Sequence, residues 1–192
     1  MPTERRLNKL KRVLDHRQTD LTVVCENIHD PHNVSAILRT CDAVGIDSVH
    51  LLYSEEDFPK LGKKSSASAK KWLDFHKHRD YKQLKEVLKS EQKLIYATYL
   101  DPSAVSIFEI DWTLPSAILV GNEHRGVSDE ALGISDRAIY IPMFGMVESL
   151  NVSVATAVIL YEACRQRIAA KEYLQSNHPE WVKEKLDEWL KT

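Results

Sequence analysis

With 192 residues, 43 % of them hydrophobic and 28 % charged, the chain is long enough for one domain with a full apolar core and too apolar to be disordered. Its 26 basic and 28 acidic side chains leave a net charge of −2, so no overall basic excess marks it as a nucleic-acid binder. The longest near-apolar run, Val152 to Cys164, is too short for a membrane span, which takes ~20 residues.

The first residues, Met-Pro-Thr-Glu-Arg-Arg, carry no apolar stretch behind their charges, so no secretory signal is expected. Cys25, Cys41 and Cys164 are odd in number and dispersed, which predicts a reducing, cytoplasmic setting. A first helix is expected over about 3–17, with Leu7, Leu10 and Leu14 on one stripe. This stretch is locally basic: Arg5, Arg6, Lys9, Lys11, Arg12 and Arg17 outnumber Glu4, Asp15 and Asp20.

Short β-rich runs follow at Leu21–Glu26, Ser48–Tyr53, Lys93–Tyr99, Ser116–Gly121 and Arg137–Pro142, with a weaker one at Trp72–His76. Helical stretches lie between them at about 33–45, 80–91 and 127–133. That alternation predicts an α/β domain with a mostly parallel sheet, whose ligands sit beyond the carboxyl ends of the strands. Residues 54–68 read as a long loop, and 60–71 hold Lys60, Lys63, Lys64, Lys70 and Lys71 with no acid, a patch able to attract phosphates. The closing helix starts at Pro179, a favoured first position, with Val182, Leu186, Trp189 and Leu190 on one side.

Familiar ligand motifs are missing. None of the six glycines forms G-x-G-x-x-G, and Gly62-Lys63-Lys64-Ser65 lacks the upstream glycine and the hydroxyl of a phosphate loop. The pairs His29/His32 and His76/His78 have no cysteine pair or H-E-x-x-H beside them, so they read as surface or turn histidines and no metal is expected.

Three segments ask for more. In NIHDPHNVSAILRTCDAVG, residues 27–45, Asn33 is expected to cap a helix whose apolar face is Val34, Ile37, Leu38, Cys41 and Val44. Arg39 on the other side has two readings, a surface pair with Asp42 or a guanidinium aimed at an anionic ligand. In LVGNEHRGVS, a strand ends at Gly121 and a polar turn follows before Gly126. In IPMFGMVESLNVSVATAVILYEA, Pro142 and Gly145 end a strand, and Glu148, Ser149 and Asn151 precede a helix apolar nearly all round. Such a helix must be buried on several sides, as at a subunit interface.

Taken together and in this order, the three segments resemble the SPOUT superfamily of RNA methyltransferases, and within it the TrmH family of tRNA guanosine 2′-O-methyltransferases. The resemblance covers about residues 20–170. It implies a SPOUT methyltransferase domain at 20–170 between an N-terminal basic helix (1–19) and a C-terminal helical extension (171–192). It also implies a deep trefoil knot in the carboxyl-terminal part, a homodimer, and S-adenosylmethionine as methyl donor to the 2′-hydroxyl of D-loop guanosine 18 of tRNA.

By the same resemblance, the cofactor would be held mostly by backbone groups around Thr98 to Leu100, Val120 and Gly121 to Glu123, Ile141 to Met143, and Ser149, Leu150 and Asn151. Arg39, Asn33, Glu123, Ser149 and Asn151 fall on the family's catalytic motifs. Arg39 would act on the 2′-oxygen or the adjacent phosphate, either as a base or as a stabiliser of negative charge. Candidate RNA contacts are Arg5, Arg6, Lys9 and Arg12 on the first helix and Lys63, Lys64, Lys70 and Lys71 in the long loop. The alternatives are an rRNA 2′-O-methyltransferase of the same superfamily and a non-catalytic RNA-binding protein. A dehydrogenase is opposed by the missing glycine fingerprint.

Overall fold

The computed structural model of the chain describes residues 3–59, 71–173 and 179–191. Its strands are β1 Leu21–Glu26, β2 Ser48–Leu52, β3 Asp74–His78, β4 Leu94–Thr98, β5 Val105–Ser106, β6 Ser116–Val120 and β7 Arg137–Tyr140. They form one sheet in the order β3-β2-β1-β6-β4-β7-β5. Every neighbouring pair is parallel. The helices are α1 Glu4–Asp15, α2 Pro31–Ala43, α3 Tyr81–Ser90, α4 Asp129–Ile134, α5 Val152–Ala169 and α6 Pro179–Leu190. None of the described helices is long and apolar enough to cross a membrane.

β1 and β6 are buried along their whole length, as parallel strands covered on both faces must be. The two-residue period divides their side chains between two cores. Val23, Cys25, Ile118 and Val120 pack with Ile37, Leu38, Ile159 and Leu160 beneath α2 and α5. Val24, Ala117 and Leu119 pack with Leu84, Leu88 and Ala131 beneath α3 and α4. Each large apolar side chain so buried contributes roughly 1.5–3 kcal/mol. A third cluster, Leu10, Leu14 and Trp189, joins α1 to α6.

Several local expectations are corrected. The sixth strand begins at Asp74 rather than Trp72, because the Trp72 carbonyl accepts from Arg17 Nη2 at 3.0 Å and its ring packs edge-on against Trp189. β5, only two residues long, left too little pattern to see. Arg17 is no part of a basic surface: it is buried, donating to Asp42 at 2.7 Å and to the Ile46 carbonyl. His78 is buried as well, its Nε2 2.9 Å from His50 Nδ1, whereas His76 is exposed.

The start of α2 differs in a way that bears on function. Asp30, not Asn33, is the cap: its carboxylate accepts from the His32 N–H at 2.8 Å, with Pro31 in the first turn. Proline has φ preset for that position and no N–H to satisfy, so the Asp-Pro pair outcompetes an asparagine three residues later. The Asn33 amide is thereby left to bond elsewhere.

Candidate active site

In the sheet order, the carboxyl ends of β6, β4 and β7 stand side by side, and the loops leaving them wall a cleft of about 870 Å³. Thr98 and Leu100 come from the end of β4, Val120, Gly121 and Glu123 from β6, Ile141 and Met143 from β7, and Ser149, Leu150 and Asn151 from the entry to α5. Of the residues that the resemblance nominates for the cofactor, all but Pro142 lie on this wall. The Thr98 hydroxyl donates to the Leu119 carbonyl at 3.2 Å, tying β4 to β6 at the cleft floor.

The turn after β6 is shaped by two glycines and an asparagine. Asn122 exchanges backbone hydrogen bonds with Gly126, at 3.0 and 2.9 Å. A side chain at Gly121 would meet the Gly126 carbonyl oxygen at 2.2 Å, and Gly126 has φ +71°, so both positions demand glycine. Asn122 Oδ1 accepts from the N–H groups of His124 and Arg125, which sends Glu123 toward α2.

Glu123 is the meeting point of the site. Its Oε2 accepts from the His29 N–H at 2.9 Å, and its Oε1 from the Asp30 N–H at 3.1 Å and from Asn33 Nδ2 at 2.8 Å. Partial burial opposes the charge, but the Asn33 amide and the His29 and Asp30 N–H donors outweigh it and hold the carboxyl below its usual range. Asn33 Oδ1 in turn accepts from Asn151 Nδ2 at 3.1 Å, while Asn151 Oδ1 caps α5 through the Ser153 N–H. The structure therefore brings Asn33, Glu123 and Asn151 into one chain of hydrogen bonds, with Ser149 beside them on the wall.

Arg39 is not on that wall; it is exposed on α2, six residues beyond Asn33. Arg5, Arg6, Lys9 and Arg12 are exposed on α1 and Lys71 is exposed before β3, while Lys63, Lys64 and Lys70 lie outside the described residues. Sequence reasoning named Glu148 only as preceding the long helix, and did not single out Val147, Tyr140 or Ile159 on the wall, nor the bracing role of Asn27 and Asn122. The only signal for the asparagines was their place at strand ends.

The composition of the wall is selective. Among the described residues lining the cleft none is Lys, Arg or His, and two are carboxylates, Glu123 and Glu148. Such a cleft disfavours the phosphates of a dinucleotide and suits a ligand with an apolar body and positive charge. Its volume is in the range of sites for cofactor-sized molecules, roughly 300–1,000 Å³. S-Adenosylmethionine, a sulfonium with a nucleoside body, fits that donor set.

Comparison with known proteins agrees with the geometry. A model of the SpoU rRNA Methylase family matches residues 20–161. The chain is 47 % identical over 190 residues to a tRNA (guanosine(18)-2′-O)-methyltransferase of Thermus thermophilus, covering 98 % of this chain and 97 % of that one. The TrmH/SpoU tRNA modifying enzyme of A. aeolicus superposes with a TM-score of 0.89 at 41 % identity, over 97 % of this chain and 95 % of the other. The SpoU methyltransferase AviRb of Streptomyces viridochromogenes, in complex with the cofactor AdoMet, gives 0.70 at 25 % identity, over 81 % and 59 %.

Proposed function

The chain belongs to the SpoU rRNA Methylase family, and we propose that it methylates the ribose 2′-hydroxyl of guanosine 18 in tRNA, with S-adenosylmethionine as donor. The observation that carries this reading is a cleft with no cationic side chain among the described residues that line it, and with Glu123 and Glu148 on its wall, at the ends of β6, β4 and β7. The substrate follows from a relative 47 % identical over nearly the whole of both chains. Bound in the cleft, S-adenosylmethionine supplies an electrophilic sulfonium methyl.

The protein's own part is to hold the ribose hydroxyl in line and to manage its proton. Arg39 lies outside the cleft and exposed, so it is reachable by an RNA chain and does not hold the cofactor. A guanidinium with a pKa above ~12 is a donor rather than a base. Arg39 therefore stabilises negative charge developing on the 2′-oxygen, or holds the adjacent phosphate, while phosphate or water takes the proton. Glu123 fixes the first turn of α2, and with it the helix that carries Arg39. Asn33 and Asn151 link that helix to the start of α5, and Ser149 faces the ligand.

The reading extends to a homodimer working in the cytoplasm. Val154, Tyr161 and Ile168 follow one another at seven-residue spacing on α5 and are 48, 57 and 60 % exposed, an apolar stripe suited to a second copy. A knotted carboxyl-terminal part is in keeping with the shared wall built by residues 98–100, 120–123 and 141–151. Arg5, Arg6, Lys9, Arg12 and Lys71 offer exposed charge for tRNA phosphates. The reading is tested by incubating the protein with isotope-labelled S-adenosylmethionine and total tRNA, then mapping the label by mass spectrometry. Label at the ribose of guanosine 18 is expected, and label elsewhere or nowhere overturns it.

A further inference from the structure

Asn27, at the end of β1, is 4 % exposed and has a left-handed backbone, φ 45°. Asparagine is among the few side-chain-bearing residues that adopt this conformation readily. It joins two loops that leave different strands. Its Oδ1 accepts from the N–H groups of Glu55 and Glu56 at 3.2 and 3.3 Å, and its Nδ2 donates to the Ser54 hydroxyl at 3.1 Å. Its backbone carbonyl accepts from Asn122 Nδ2 at 2.7 Å. So the side chain holds the loop after β2, and the backbone holds the Glu123 turn after β6. The two loops also meet directly, through Arg125 with Glu55 and, at 3.2 Å, with Glu56.

We propose that Asn27 is a positioning residue for RNA, setting the loop 54–59 against the Glu123 turn so that the rim beside the cofactor cleft presents Arg125 and its neighbours in a fixed arrangement to the substrate. This rests on the proposed tRNA methylation. The loop supplies no cleft wall of its own, so its placement bears on the RNA and leaves cofactor binding alone. Three hydrogen bonds from one buried side chain hold a stretch whose Ser54, Glu55 and Asp57 are exposed, alongside Arg79 Nη1 donating to the Glu56 carbonyl at 2.8 Å and the packing of Phe58 on the core.

The test separates side chain from backbone. In Asn27→Gly the left-handed conformation stays free of strain and the carbonyl used by Asn122 remains, while the three side-chain bonds to the loop are removed. Asn27→Asp keeps an acceptor for both N–H groups. The expected result for Asn27→Gly is a rise in KM for tRNA of roughly fivefold to tenfold, the scale of about one net hydrogen bond. Its kcat and its affinity for S-adenosylhomocysteine stay within about twofold of wild type, and Asn27→Asp restores most of KM. An unchanged KM, or a parallel loss of S-adenosylhomocysteine affinity, overturns the proposal.

Hydrogen exchange at the Glu55 and Glu56 N–H groups supplies a readout that needs no activity. Faster exchange there in Asn27→Gly is expected, and unchanged exchange refutes the brace. If the wild-type protein methylates no tRNA, the functional reading fails while this exchange result still stands or falls by itself.

Discussion

Glu123 accepts a 2.8 Å hydrogen bond from Asn33 across 90 positions of sequence, and the same carboxylate holds the backbone of His29 and Asp30. One side chain thus anchors the start of α2 to the wall of the cleft. In Glu123→Gln one of the two oxygens becomes an amide that cannot accept from the His29 N–H. Thermal unfolding should show a loss of about 0.5–1.5 kcal/mol, the net worth of one hydrogen bond, because the exposed His29 N–H can turn to water. Methyl transfer should fall by roughly tenfold or more, since a small displacement of the groups that position a substrate is felt strongly in the rate.

Arg39 separates turnover from cofactor binding. Arg39→Ala should lower methyl transfer by about 10²–10³-fold, the scale for removing one donor to developing negative charge. Calorimetric affinity for S-adenosylhomocysteine should remain within about twofold, because Arg39 is not on the cleft wall. Lysine lacks the planar fork of donors and should rescue poorly. Near-normal rates in Arg39→Ala would remove the residue from the mechanism.

The α5 stripe bears on assembly. Glutamate at Val154 and Tyr161 together puts charge on two of its three exposed apolar positions. Sedimentation should give the wild type at twice the chain mass of 22.0 kDa and the double variant at the chain mass itself. A wild type that sediments as a monomer contradicts the dimer.

Salt dependence reports on the RNA surface. Replacing Arg5, Arg6, Lys9 and Arg12 by glutamine should weaken tRNA binding and flatten the slope of log affinity against log salt, by about 0.7–0.9 for each phosphate no longer neutralised. An unaltered slope leaves these as solvated charges of α1.

The His50–His78 pair makes stability depend on pH. Burial, then the neighbouring His76, His78 and Lys93, lower His50 from its ordinary 6.5 to about 3. Burial, then His76, also lowers His78, with Glu91 opposing. Both rings stay neutral in the fold, while the unfolded chain takes up protons as pH drops below 6.5. The His50 contribution is therefore complete above pH 6.5 and declines toward pH 3, by up to about 1.4 kcal/mol per pH unit, and His78 acts in the same direction. Urea unfolding between pH 6.5 and 5 should show this fall, and His50→Gln should reduce its slope. Equal slopes in the two proteins would show that the pair does not titrate this way.

Much of the fold could be read locally. β1 and β6 are continuous apolar runs, and α2 shows its buried face in Val34, Ile37, Leu38 and Cys41, because side-chain periods of 2.0 and 3.6 write themselves into neighbouring residues. The three motifs named residues that the structure brings together on one cleft wall. Other features needed the strand order. That Glu123 binds Asn33 depends on β1 and β6 standing side by side, that His50 faces His78 depends on β3 pairing with β2, and Arg17 meets Asp42 and Trp72 across 25 and 55 positions of chain. Periodicity says which face of an element is apolar, but a polar side chain takes its partner from whatever the sheet places opposite it. The chain alone therefore determined most of the elements and which residues they carry; the packing of β1, β6 and α2 decided that Asn33, passed over as a cap in favour of Asp30, was free to meet Glu123.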